Sequence, residues 1–333
     1  MDQFSAHLDR GWDLAQRGDA AGAEISARRA LEIDGQSPEA HNLLGYVSAL
    51  QGNFEEAIEH YTQAITLDDT YFEAMLNAAE IYIHPLGEFA RAAELCDQAA
   101  ELAENDDERV DALLLKFDAL LGAGEIDRAR ELCRTFPAGP FENPTHTFLV
   151  GRACYETGDF ERAAALIEQA TQSGAENPEG WYYLGLVRDE HGDARGATEA
   201  FLRSRDLDLG LPPVPWSLTP ETFAHTVQRA IAALDEHYRS FLRTDEVFVS
   251  DVPGVEVVAD GVDPRALVLL DGISATADDA TATARVFVYQ RNVERLAGSV
   301  EAIESELKSA LESEVIATFV DPEREPGTGH TLN

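Results

Sequence analysis

The side chains that could do chemistry are few and scattered. Glu312, Glu314, Asp321 and Glu323 lie close together near the C-terminus. Carboxylates so placed could hold a hard cation such as calcium or magnesium, which takes oxygen ligands. No loop pattern frames them, so they are read as a solvated helix end. His225 and His237 are twelve residues apart, which does not put them on one helical face at ligand spacing. His330 lies in a Gly-rich tail. Cys96, Cys133 and Cys154 form neither a close pair nor a ribbon. Their odd number argues against a disulfide framework and for packed thiols in a reducing compartment. No nucleotide loop, CxxC pair, nucleophile elbow or Ser-His-Asp grouping is present.

The bulk numbers narrow the classes of function. The formal net charge is -37, with 62 acidic against 25 basic residues. Such a surface repels phosphate backbones and anionic lipid heads, which argues against nucleic-acid or membrane partners. Two readings of the acidity stand: attraction of a basic partner, or solubility in a salty cytoplasm. Met1-Asp2-Gln3-Phe4 lacks a basic region followed by an apolar stretch, and no apolar run could span a bilayer, so a cytoplasmic protein is expected. A hydrophobic share of 44% over 333 residues is enough for two domains with buried cores.

The elements that must position any site come from a repeat. Gly-(Asp/Asn/Glu) recurs at Gly18, Gly52, Gly87, Gly124, Gly158 and Gly192, at intervals of 34, 35, 37, 34 and 34 residues by subtraction. Glycine supplies the positive φ that ends one helix, and the acid or amide beside it helps to start the next. Five residues after each Gly stands an alanine: Ala23, Ala57, Ala92, Ala129, Ala163 and Ala197. Side chains so small let two helices approach closely. Seven residues before the turn a second glycine recurs, at Gly11, Gly45, Gly151 and Gly185, with Ala79 and Phe117 in the other units. Pro38, Pro144 and Pro178 suit the first turn of a helix.

With Trp181-Tyr182-Tyr183-Leu184-Gly185 matching W-x-x-L-G, residues 4 to 209 resemble the tetratricopeptide repeat family in about six helical hairpins. The resemblance implies an all-α superhelix whose first helices line a concave, polypeptide-binding groove. On that face it places Trp12, Asn42, Tyr46, Leu76, Glu80, Phe148, Arg152, Tyr155, Tyr182, Leu186 and Glu190. Glu39, Glu73, Asp118, Glu156, Glu179 and Asp189 lie nearby. Aromatic anchors among carboxylates suit an apolar peptide with basic flanks. The family's carboxylate clamp is not matched: Asn42 and Asn77 are present, but Leu8 and Glu73 stand where cations are needed.

Periodicity stops after Leu209. Residues 210–219, with Pro212, Pro213 and Pro215, read as a stiff connector. Thr219-Pro220-Glu221 reads as a helix start, and the helix is expected to run to about Arg243 with Phe223, Val227, Ile231, Leu234 and Tyr238 on one face. Strand-like runs follow at 247–250, 255–258, 267–270 and 285–290, with a polar loop at 276–283 and a last helix from about Ser299 to Phe319. The division expected is 1–209 repeat array, 210–219 linker, 220–324 small α+β domain and 325–333 flexible tail.

That α+β segment resembles small bacterial zincin-like metallopeptidases. The resemblance rests on Pro220-Glu221-Thr222-Phe223, Leu267-Val268-Leu269-Leu270-Asp271-Gly272 and Tyr289-Gln290-Arg291-Asn292-Val293-Glu294-Arg295. Such enzymes carry HExxH on the last helix: two imidazoles hold zinc and the Glu acts as general base. Here the stretch reads Ser313-Glu314-Val315-Ile316-Ala317. Ser313 and Ala317 occupy the ligand positions, Glu314 the vestigial base position, and Glu323 or Asp321 the region of the third ligand. The expectation is a non-catalytic interaction scaffold without cofactor, whose peptidase-like domain is a second recognition surface. Two alternatives stay open: a metallopeptidase holding zinc through non-standard ligands, with repeats that recruit substrate, and a structural assembly factor.

Overall fold

The structure, a computed structural model, describes residues 2–172, 176–275 and 282–321. The chain divides between residues 173 and 174 into two compact units.

The first unit is a stack of five helical hairpins: α1 (Gln3–Gln16) with α2 (Ala20–Ile33), α3 (Pro38–Leu50) with α4 (Phe54–Leu67), α5 (Phe72–Ile83) with α6 (Phe89–Leu102), α7 (Asp106–Gly122) with α8 (Ile126–Cys133), and α9 (Pro144–Glu156) with α10 (Phe160–Gln172). The turn glycines have positive φ, from 65° at Gly87 to 82° at Gly158, as the spacing requires. Ala23, Ala57, Ala92, Ala129 and Ala163 are wholly buried. A Cβ at Gly45 would lie 2.6 Å from the Tyr61 ring, so only glycine admits that ring between α3 and α4. Asn105 begins α7: its side chain accepts from Glu108 N. Ser37 and Asn143 cap α3 and α9, each followed by its first-turn proline.

Cys96, Cys133 and Cys154 are free and buried. Burial pushes the Cys96 and Cys154 thiols up to about 12, so they rest protonated. A thiol-reactive chromophore should therefore modify none of the three in the folded protein and all three in denaturant; fast native labelling would contradict this packing.

One polar knot ties the fourth and fifth hairpins. His146, 4% exposed, sets Nδ1 2.7 Å from Asp107 Oδ1 and Nε2 2.9 Å from Asp111 Oδ1. Asp107 also accepts from the backbone N–H groups of Asn143 and Glu142, at 2.9 Å each. Those two donors, then His146, hold the Asp107 carboxyl below its usual range. A depressed folded pKa means that its stabilisation is complete above the unfolded value, about 3.9, and is lost as pH falls through the folded one. Asp107→Asn should therefore lower the unfolding midpoint of the first unit at neutral pH, and the gap should close in acid. A constant gap across the series would contradict the bonding.

The second unit begins with a sixth hairpin, α11 (Pro178–Glu190) and α12 (Ala194–Gly210). It continues through α13 (Pro220–Ala232), α14 (Glu236–Arg239), β1 (Leu242–Ser250), α15 (Val255–Ala259), β2 (Val268–Ala275), β3 (Ala282–Tyr289), α16 (Gln290–Ala297) and α17 (Ile303–Val315), which ends in a π turn, Ile316–Val320. The sheet order is β1-β3-β2, with β1 parallel and β2 antiparallel to β3. Phe223, Val227, Ile231, Leu242, Val286, Val288, Ile303, Leu307 and Leu311 share one core.

Three expectations are corrected. The helix from 220 does not reach Arg243: it ends at Ala232, and Asp235 caps a separate short helix by accepting from His237 N. Residues 255–258 are helical despite three valines, because Gly254 begins a turn that buries Val258 and leaves Val255 exposed; packing overrides β propensity. Ala282 and Thr283, placed in the polar loop, are in β3; the rest of that loop, 276–281, lies outside the described residues. The sixth hairpin falls in the same compact unit as the α+β segment.

Candidate functional site

In the first unit, α1 touches α3, α3 touches α5, α5 touches α7 and α7 touches α9. The first helices of the hairpins thus form one continuous layer, and the residues assigned to the inner face lie along it. Trp12 and Tyr46 are half-buried, with ring centroids 5.3 Å apart. Leu76 is half-buried, and Glu73 and Glu80 are exposed. Asp118 is half-buried on α7; burial pushes its carboxyl up, and the Arg152 charge opposes that shift. Arg152 and Tyr155 are half-buried on α9, with Arg152 Nε 3.6 Å from Glu156 Oε1. The layer therefore combines partly open aromatic faces with exposed and half-buried carboxylates, an arrangement able to take apolar and cationic side chains together.

Two assigned residues of this unit are buried and offer little surface. Asn42, 3% exposed, donates to the Tyr71 hydroxyl at 3.3 Å and accepts from Asn77 Nδ2 at 3.1 Å. It cross-braces α3 and α5. Phe148, 4% exposed, packs inward. Asn42 and Asn77 are one repeat apart, which is the sequence signal for such a ladder; Tyr71, in the preceding turn, carries no signal of its own.

In the second unit, Leu186 is half-buried and Glu190 exposed, but Tyr182 is 1% exposed. Its hydroxyl donates to Asp263 Oδ2 at 2.8 Å, and the Arg265 guanidinium lies 4.3 Å from its ring centroid. Nothing in the sequence announces this pairing across 81 residues.

At the positions where the expected peptidase resemblance would put zinc ligands, Ser313 is exposed on α17 and Ala317 lies in the π turn. A serine hydroxyl and an alanine methyl do not fit zinc, which takes imidazole, thiolate or carboxylate ligands. Glu314 is half-buried; burial pushes its carboxyl up, opposed by a hydrogen bond from the Leu270 backbone of β2. Glu323 lies outside the described residues, among which no group of three or more His, Cys, Asp or Glu side chains is placed to hold a metal ion. His225 and His237 are exposed. No helix of the described residues is long and apolar enough to cross a membrane.

Comparison with known proteins bears on the repeats. Tetratricopeptide repeat family models match residues 38–71, 74–110 and 149–210. Human tetratricopeptide repeat protein 7B is 28% identical over 154 residues, 45% of this chain and 17% of that protein. The Hsp70-Hsp90 organizing protein of Triticum aestivum is 40% identical over 57 residues, 17% of this chain and 10% of that protein. The chain thus spans under a fifth of these relatives' length. Among solved structures, Pseudomonas aeruginosa pilF gives a TM-score of 0.53 at 19% identity, covering 67% of this chain and 97% of that one. PilW, a type IV pilus biogenesis factor, gives 0.51 at 16% identity, covering 61% and 92%. At such identities the likeness concerns the fold. The chain carries tetratricopeptide repeats.

Proposed function

We propose that the chain, as a carrier of tetratricopeptide repeats, is a non-catalytic scaffold whose repeat groove grips a polypeptide with apolar anchors and basic flanks. One observation carries this reading: the half-buried Trp12–Tyr46 pair shares its helical layer with the exposed carboxylates of Glu73 and Glu80 and the desolvated carboxyl of Asp118. Aromatic rings bind with little loss of rotamer entropy, and carboxylates across an interface select for cationic side chains. The net charge of -37 extends that preference into the approach of a basic partner. Proteins of this repeat class mediate interaction and assembly, which supports the same reading.

In the same proposal the α+β segment is a second recognition surface of peptidase-like descent. Its β2 is an edge strand, and Glu314 meets the Leu270 backbone there. Extended peptides add to such edges by main-chain hydrogen bonds.

The test is affinity capture with full-length protein and with Glu73→Lys/Glu80→Lys. Charge reversal should lower recovery of the bound proteins by about tenfold or more, since like charges facing across an interface cost several kcal/mol. Equal recovery by wild type and variant would refute the groove.

A further inference from the structure

We propose that the turn Asp263-Pro264-Arg265 is a tethered occupant of the sixth hairpin's inner face, so that this hairpin holds the chain's own α+β segment and a partner polypeptide is read by the first five hairpins. This rests on the groove reading above, because it concerns which hairpins are open to a partner.

The contact has the form of ligand binding. Tyr182, which the repeat resemblance assigns to the groove face of α11, is 1% exposed and is covered on two sides. Asp263 takes its hydroxyl through Oδ2 at 2.8 Å, and Arg265 covers its ring at 4.3 Å. A cation over an aromatic face beside a polar anchor is the chemistry expected of the partner itself. The turn is preformed from behind. Asp263 Oδ1 accepts from Arg265 N at 2.7 Å, and Asn292, 4% exposed, donates through Nδ2 to the carbonyls of Pro264 at 3.0 Å and Ala266 at 2.8 Å. Preformed ligands bind with less ordering cost.

A second attachment holds the turn in place. Asp208, 6% exposed near the end of α12, lies 3.1 Å from Arg295 Nη1 and 3.5 Å from Arg265 Nε. Arg291 Nη1 donates to the carbonyls of Leu209 at 3.1 Å and Leu211 at 2.9 Å, where the end of a helix presents free acceptors. Arg205 Nε reaches Pro253 O at 2.5 Å. With covalent tethering and these pins, the turn acts at an effective concentration on the order of millimolar or above, which a free peptide of ordinary affinity does not displace.

Two readouts on the full chain test this. In the first, tetranitromethane labelling of Tyr182 is followed by peptide mass spectrometry. Wild type should remain unlabelled there, and Asp263→Ala/Arg265→Ala should label about tenfold faster or more, as expected of a locally opened contact. Arg265→Gln keeps much of the packing stem and should give an intermediate rate, which guards against loss of fold in the double variant. Equal Tyr182 labelling in wild type and both variants would overturn the assignment. In the second, Glu190→Lys should leave partner recovery within about twofold while Glu80→Lys lowers it by about tenfold. A loss at Glu190 as large as that at Glu80 would overturn the assignment. If neither substitution lowers recovery, the groove reading itself fails, and the labelling readout still decides the occupancy of the sixth hairpin.

Discussion

Replacing Tyr61 by alanine should destabilise the first unit by about 3–5 kcal/mol, in the range for emptying a buried aromatic site. Tyr61 is 1% exposed, and its ring lies where a Gly45 Cβ would come within 2.6 Å. The recurring pair of a glycine on the first helix and a large side chain on the second sets how closely a hairpin closes. The same pairing appears at Gly185, whose Cβ would lie 2.3 Å from Phe201. Tyr61→Ala leaves a cavity, and Gly45→Val in the wild-type background overpacks the same space. The Gly45→Ala/Tyr61→Ala double variant should be more stable than the sum of its single changes predicts, because the new methyl enters the space the ring vacated. Strict additivity in denaturant titrations would contradict the contact.

Glu294→Ala should cost the second unit about 2–4 kcal/mol, through buried donors left without an acceptor. Glu294 is 2% exposed. Its carboxylate accepts from Ser217 Oγ at 2.8 Å, Leu218 N at 2.9 Å and Gln290 Nε2 at 2.9 Å, and Gln290 in turn donates to Leu218 O at 2.8 Å. One side chain of α16 thus pins the proline-rich connector as it enters α13. Gln at 294 retains one acceptor and the shape of the side chain, so Glu294→Gln should cost less than Glu294→Ala. Thermal unfolding of both variants checks the order; equal midpoints for Glu294→Ala and wild type would remove the connector's anchor from the account.

The repeat was legible because its signals are local and obligatory. A turn at φ near 78° demands glycine at Gly18 and Gly52, and a helix crossing too tight for a larger side chain demands Ala57 or Ala92. Such constraints recur with the period of the fold and survive in a single sequence. The α+β segment was legible only in outline. Valine runs at 255–258 and 285–288 look alike as text, yet one is a helical turn and the other the central strand. What separates them is the partner each meets: β3 is paired on both sides, whereas Gly254 opens a turn. The break between α13 and α14 has the same character, since helical spacing carries through Leu234 and Tyr238 while the backbone is recapped at Asp235.

The residues assigned to the inner face differ in how much surface they keep. Trp12, Tyr46, Leu76, Arg152 and Tyr155 keep partly open surface, and Glu80 is open. Asn42 is consumed by its bonds to Tyr71 and Asn77, and Tyr182 by Asp263 and Arg265. These losses arise from contacts with residues distant in sequence, which periodicity does not encode.

The central claim is that the layer formed by α1, α3, α5, α7 and α9 receives a polypeptide. Cross-linking mass spectrometry on the complex captured by full-length protein tests it most directly, with photoreactive residues introduced at Leu76 and Tyr155. The expected result is partner cross-links at both positions, to segments carrying Lys or Arg beside apolar residues, that vanish with Glu73→Lys/Glu80→Lys. Cross-links confined to a control position on the second helices, such as Ile25, would contradict it.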